Sequence, residues 1–92
     1  MVEAAQAFRH SNNFTQLLVK NSPSKSLYWR DLAASFANLG LLALNSNPDE
    51  ALEEYTRALE AAENAARLDP QWTGMVADLK ARVASFRRKK EG

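Results

Sequence analysis

Between Pro48 and Leu68 the apolar residues Ala51, Leu52, Tyr55, Ala58, Leu59, Ala62, Ala65 and Ala66 return at intervals of three and four, the repeat of one face of an α-helix. Its start is written in Asn45-Ser46-Asn47-Pro48-Asp49-Glu50. An asparagine caps, proline takes the first helical position where its missing N–H is no loss, and two acids meet the positive end of the helix dipole. Leu68-Asp69-Pro70 closes the segment. A further helix is predicted from about 72 to 89, where Trp72, Val76, Leu79, Val83 and Phe86 alternate at four and three and form the only apolar stripe. From 27 to 44 the pattern is broader. Tyr28, Leu32, Phe36, Leu39 and Ala43 make one stripe, and Trp29, Ala33, Ala37, Gly40, Leu41 and Leu44 a second, so this helix expects cover on more than one side. Ala33, Ala34, Ala37 and Gly40 keep it thin enough for close neighbours, and its N-cap is expected at Ser24 or Ser26. Residues 2–21 carry Val2, Ala4, Ala5, Phe8, Phe14, Leu17 and Leu18 at irregular spacing. They predict one helix softened at Asn12-Asn13, or two short ones.

Four helices (2–21, 27–44, 48–68 and 72–89) in 92 residues predict one all-α domain, and the short connections predict that sequential helices pack antiparallel. The chain also resembles itself at an offset of 47 residues. Glu3-Ala4, Phe8, Lys20 and Pro23 fall on Glu50-Ala51, Tyr55, Arg67 and Pro70. Tyr28-Trp29, Asp31-Leu32, Ala34, Phe36-Ala37 and Leu39 fall on Met75-Val76, Asp78-Leu79, Ala81, Val83-Ala84 and Phe86. Periods of about 20 to 50 residues mark helical arrays whose units stack to bury a shared core. The chain opens inside such a unit, as a domain taken from a longer array does.

Asn38-Leu39-Gly40, then Pro48-Asp49-Glu50-Ala51, Tyr55, Ala58-Leu59 and Leu68-Asp69-Pro70, together resemble the tetratricopeptide repeat. The match spans one full unit and two half units. Trp29 and Leu39-Gly40 stand at the aromatic and Leu-Gly positions of the family's first helix; Ala51, Tyr55, Ala58 and Pro70 follow at those of its second. The period of 47 residues exceeds the family's roughly 34 because each helix is longer by seven residues, close to two turns, while the turn at Asn45 to Asn47 is one residue shorter, so the buried faces keep their direction. The family's turn glycine is absent, with Ser46 about where it would stand. The resemblance implies a right-handed stack of helix pairs with a concave face lined by first helices, a face that binds peptides or partner proteins. A compact four-helix bundle is the alternative architecture, since only one complete pair is present.

Composition narrows the function. Hydrophobic residues make up 46% of the chain and glycine and proline total six, the profile of a chain that folds. With no cysteine, disulfides and thiolate metal sites are excluded. No apolar run reaches the length of a membrane span and Met1-Val2-Glu3 has no signal-peptide character, so a soluble chain is expected, with the cytoplasm slightly favoured. Residues 1–79 hold six basic and ten acidic side chains, a balance of −4, whereas residues 80–92 hold six basic and one acidic, a balance of +5. Lys80, Arg82, Arg87, Arg88, Lys89 and Lys90 therefore make a basic end on an acidic body. Such a cluster favours the helix dipole and solubility, and is also able to meet an acidic protein, a nucleic acid or an anionic membrane.

No site of chemistry emerges. His10 lacks the spacing of a metal or catalytic motif and reads as solvent-facing, and it falls on Arg57 at the repeat offset. Glu50, Glu53, Glu54, Glu60 and Glu63 read as a solvated helix face, with Glu53–Arg57 and Glu63–Arg67 four apart in the stabilising orientation. No cofactor, small-molecule substrate or enzymatic activity is expected. The expectation is a protein-interaction or scaffold module binding another protein or a second copy of itself. Phe8, Phe14, Leu17, Leu18 and Trp29 are the candidate contact residues, because nothing precedes the first helix to cover its outer face.

Overall fold

The computed structural model describes the backbone of residues 2–91 and the side chains of residues 6–89. Four helices, α1 (Val2–Asn21), α2 (Ser26–Ala43), α3 (Pro48–Leu68) and α4 (Thr73–Glu91), make an all-α fold with no strand among the described residues. A 3₁₀ turn, Pro70–Trp72, joins α3 to α4.

Local chemistry sets the boundaries. Asn47 caps α3 by accepting a hydrogen bond from the Glu50 N–H at 3.2 Å, with Pro48 at the first helical position. Asp69 leaves the helix in extended geometry and accepts from both the backbone N–H and the side-chain amide of Gln71, at 3.1 and 2.6 Å. Those two donors hold its carboxyl below the usual carboxylate range. The α1 helix runs unbroken through Asn12-Asn13. Thr15 Oγ1 donates to the Ser11 carbonyl at 2.7 Å and Gln16 Nε2 to Asn12 Oδ1 at 2.5 Å, so the Asn12 side-chain oxygen at its weak point is bonded within the helix. The N-cap of α2 departs from expectation. Lys25, not a serine, takes the extended cap position without a side-chain bond, because its own N–H closes a turn onto the Ser22 carbonyl at 3.2 Å and Ser26 becomes the first helical residue.

Sequential helices pack side by side: α1 on α2, α2 on α3 and α3 on α4, with the contact between α2 and α3 the most extensive. No comparable contact joins α1 to α4 among the described residues, and the chain measures 38 × 30 × 15 Å. The helices thus zigzag through an open, thin stack. At its centre α3 buries Ala51, Ala58, Ala61, Ala62 and Ala65 around a single large side chain, Tyr55. Methyl groups on both sides let α2 and α4 approach closely. From α2 come Leu32, Ala33 and Phe36, from α1 Val19, and from α4 Leu79 and Val83. Gly40 lies directly against the Tyr55 ring.

Candidate functional site

The α1 helix meets α2 through Phe8, Asn12, Thr15 and Val19, spaced four, three and four along one face; the last three are buried and Phe8 is half-buried. Two of these four are polar. On the opposite side Phe14 is 63% and Leu17 57% exposed. Burying Asn12 leaves its Nδ2 without a hydrogen-bond partner, and Ser35 Oγ on α2 is likewise unpaired, an arrangement that disfavours the fold. The α1 helix therefore turns a mixed stripe inward, Phe8 and Val19 with Asn12 and Thr15, and leaves Phe14 and Leu17 in solvent. Of the five contact residues expected from sequence, only Phe14 and Leu17 are exposed, and Phe8 lies half-buried on the inward face. Leu18 is half-buried at the edge of their face. Trp29 sits on α2, half-buried, its Nε1 donating to the Pro23 carbonyl at 2.7 Å.

The zigzag leaves a groove on each side of the stack. One lies between α2 and α4 with Tyr55 of α3 at its base, walled by Ala33, Ala37 and Leu41 and by Trp72, Met75 and Leu79, and encloses about 540 Å³. Asp78 and Arg82 stand at its lip, the Arg82 guanidinium 5.4 Å from the centre of the Tyr55 ring. At the Trp72 end the Arg30 guanidinium covers the indole at 5.0 Å. Arg30 Nε also pairs with Asp31 at 2.8 Å, out of line for a hydrogen bond. The other groove runs between α1 and α3 over Trp29, Leu32 and Phe36, and its walls are polar: Gln16, Arg57, Glu60 and Asn64. Neither groove has a local sequence signature, since each is formed by helices that are not neighbours in the chain.

The basic residues of α4 do not form one patch. At 100° per residue, Arg82 and Lys89 share the flank that lines the α2–α4 side, with Leu44 and Phe86 beside Lys89. Lys80 and Arg87, also seven apart, share the opposite flank, and Arg88 points away from the core; all five are exposed. The Lys90 side chain lies outside the described residues. Comparison with protein-family models, with curated proteins and with solved structures gives no match. Among the described residues no helix is long and apolar enough to cross a membrane.

His10 is exposed, and no group of three His, Asp or Glu side chains gathers into a metal site among the described residues. Arg57 pairs with Glu53 at 2.8 Å and Glu54 at 3.6 Å. Glu63 and Arg67, at the same spacing as Glu53 and Arg57, form no ion pair among the described residues. Arg9 reaches from α1 to Glu50 on α3 at 3.8 Å, an exposed contact worth about 0–1 kcal/mol. Glu54 differs from the other acids because its side chain is only 12% exposed. Burial pushes its carboxyl above the usual range, opposed by Arg57 and assisted by Glu50 and Glu53. A carboxyl with a raised folded-state value weighs against the fold when ionised, and that penalty is relieved as pH falls through the raised value. Glu54→Gln is accordingly expected to raise the urea midpoint at neutral pH. The gain should vanish below about pH 4, where the native carboxyl is protonated in both states. A gain independent of pH would assign the effect to something other than charge.

Proposed function

We propose that this domain is a non-enzymatic protein-interaction module that binds through the outward face of α1. The observation that carries the reading is the inverted helix: Phe14 and Leu17 face solvent while Asn12 and Thr15 are buried. A helix that leaves two large apolar groups exposed while it buries two polar ones has an apolar face unoccupied. The 47-residue register supports the same reading. Phe14 and Leu18 fall on Ala61 and Ala65 of α3, which are buried in the middle of the stack. The face of α1 thus corresponds to one that is covered where the stack continues, as in a tetratricopeptide-like array. The α2–α4 groove over Tyr55 supplies a second apolar strip on the same small domain.

The test is affinity capture with the intact chain and with Phe14→Ser/Leu17→Ser as parallel baits. Both sites are exposed, so the variant should keep its helical circular dichroism. Partner retention by the wild type should fall by about tenfold or more in the variant, the loss expected when hot-spot anchors are removed. Equal retention by both baits would remove α1 from the binding surface. Loss on Arg87→Gln/Arg88→Gln, with the α1 variant unaffected, would transfer the function to the basic helix.

A further inference from the structure

We propose that α1 is a releasable helix: it parts from α2 and melts as a unit while α2, α3 and α4 stay packed, uncovering the Leu32 and Phe36 stripe of α2. The two sides of α2 are held very differently. Its contact with α3 is the most extensive in the fold, and its contact with α1 is far smaller. Val19 is the buried apolar side chain that α1 brings to the core among the described residues, whereas α3 brings Tyr55 and five alanines. With Val19, α1 buries Asn12 and Thr15, and the Asn12 Nδ2 has no hydrogen-bond partner. Ser35 Oγ is unpaired on the facing side of α2, between Leu32, which lines a groove with Gln16 of α1, and Leu39, which lines another with Arg9. Each buried, unpaired group weighs against the closed arrangement and regains water when α1 leaves. The α4 helix has one such group, Trp72 Nε1, but it also brings Leu79, Val83 and the stacked ring of Phe86 to the core.

The connector sets the boundary of the opening unit. Trp29 Nε1 donates to the Pro23 carbonyl at 2.7 Å and the Lys25 N–H to the Ser22 carbonyl at 3.2 Å, so residues 22–25 are tied to the start of α2 and the opening ends at Asn21. On the α3 side the exposed Arg9–Glu50 pair, 3.8 Å apart, must separate, which costs little. Once released, α1 is a 20-residue helix in water with Asn12 and Asn13 near its middle, marginal on its own, so release and melting coincide. The open state bares Leu32 and Phe36 on α2 and frees Phe8 and Val19 on α1. A partner that needs this hidden surface meets it only in the open fraction, and its apparent affinity is reduced by that fraction. Opening is a property of the chain alone and stands whether or not partner capture depends on Phe14 and Leu17.

Native-state hydrogen exchange of the 92-residue chain, measured through a series of sub-denaturing urea concentrations, tests the assignment. Amides of residues 11–20 should show protection at least about 30-fold below that of Tyr55 to Ala62 at the centre of α3. Their urea dependence should also be shallower, because opening α1 exposes less surface than unfolding the whole domain. Val83→Ala, in the α4 core, should lower the protection of α3 about fivefold or more and leave that of α1 unchanged. Asn12→Leu, which removes the unpaired amide, should raise α1 protection about tenfold or more. Equal protection and equal urea slopes in α1 and α3 would show that the helices open together and would overturn the proposal, as would a fall of α1 in step with α3 in the Val83 variant. No gain from Asn12→Leu would overturn the assignment of release to the buried polar groups. The urea slopes of the unaltered chain decide the question even where Val83→Ala fails to fold.

Discussion

Tyr55→Ala is expected to lower the melting temperature by about 15–30 °C, or to leave a chain without fixed packing. The side chain is 3% exposed at the middle of α3. Its ring stacks on Phe86 at 5.4 Å with 24° between planes, carries the Arg82 guanidinium nearby, and fills the space left by the missing side chain of Gly40. Removing a buried aromatic ring costs about 3–5 kcal/mol, and each kcal/mol moves the midpoint of a domain this size by roughly 4–8 °C. Total stability of such a domain is about 5–15 kcal/mol. Tyr55→Phe keeps the ring and its contacts and should change stability by about 1 kcal/mol at most. Thermal unfolding followed by circular dichroism separates the two. A shift of only a few degrees for Tyr55→Ala would mean that the ring does not organise the three helices around it.

Gly40→Leu is expected to be comparably damaging, for the reverse reason. A Cβ at this position would lie 2.8 Å from Cδ2 and Cε2 of Tyr55 and 3.2 Å from its Cγ. The ring cannot retreat from it without disturbing Phe86, so the added volume must separate α2 from α3, the most extensive helix contact in the fold. Even Gly40→Ala should be destabilising on balance. Its gain in helix propensity, about 1 kcal/mol, is opposed by overpacking of about 1–3 kcal/mol. Gly74→Ala provides the contrast, since a Cβ there has nothing within 4 Å. It should stabilise by about 0.4–1 kcal/mol by narrowing the unfolded ensemble. The same substitution thus takes opposite signs at two helical glycines, a difference that denaturant titration resolves. Stabilisation by both would mean that α2 and α3 stand further apart than described.

The helices were legible because their signals are local: the three-and-four spacing of α3 and α4, the cap at Asn47-Pro48, the double stripe of α2. Its two stripes meet two neighbours, with Leu32 and Phe36 from one and Ala33 and Gly40 from the other all buried. The orientation of α1 was not legible. Apolarity alone marks Phe14 and Leu17 as contact residues without saying which way they point. The choice is made by the neighbouring helix, which takes the face holding Phe8 and Val19 and accepts Asn12 and Thr15 with them. The division of the basic cluster, by contrast, was present in the sequence. Lys80 with Arg87 and Arg82 with Lys89 are two pairs seven apart and two residues out of phase, a separation visible once positions are read as angles around a helix. The grooves, made by α2 with α4 and by α1 with α3, depend on how closely the alanines of α3 let its neighbours draw in, which no local pattern records.

Those alanines also bear on how the helices are held lengthwise. Alanine has no rotamers to freeze, so the most enclosed helix is ordered at the smallest side-chain entropy cost in the fold. Yet a surface of Ala51, Ala58, Ala61, Ala62 and Ala65 is nearly smooth, a rail along which a neighbouring helix can be displaced by a turn and still find methyl groups to touch. The Tyr55 ring set into the notch at Gly40 is the detent that stops this sliding and fixes the axial position of α2 on α3.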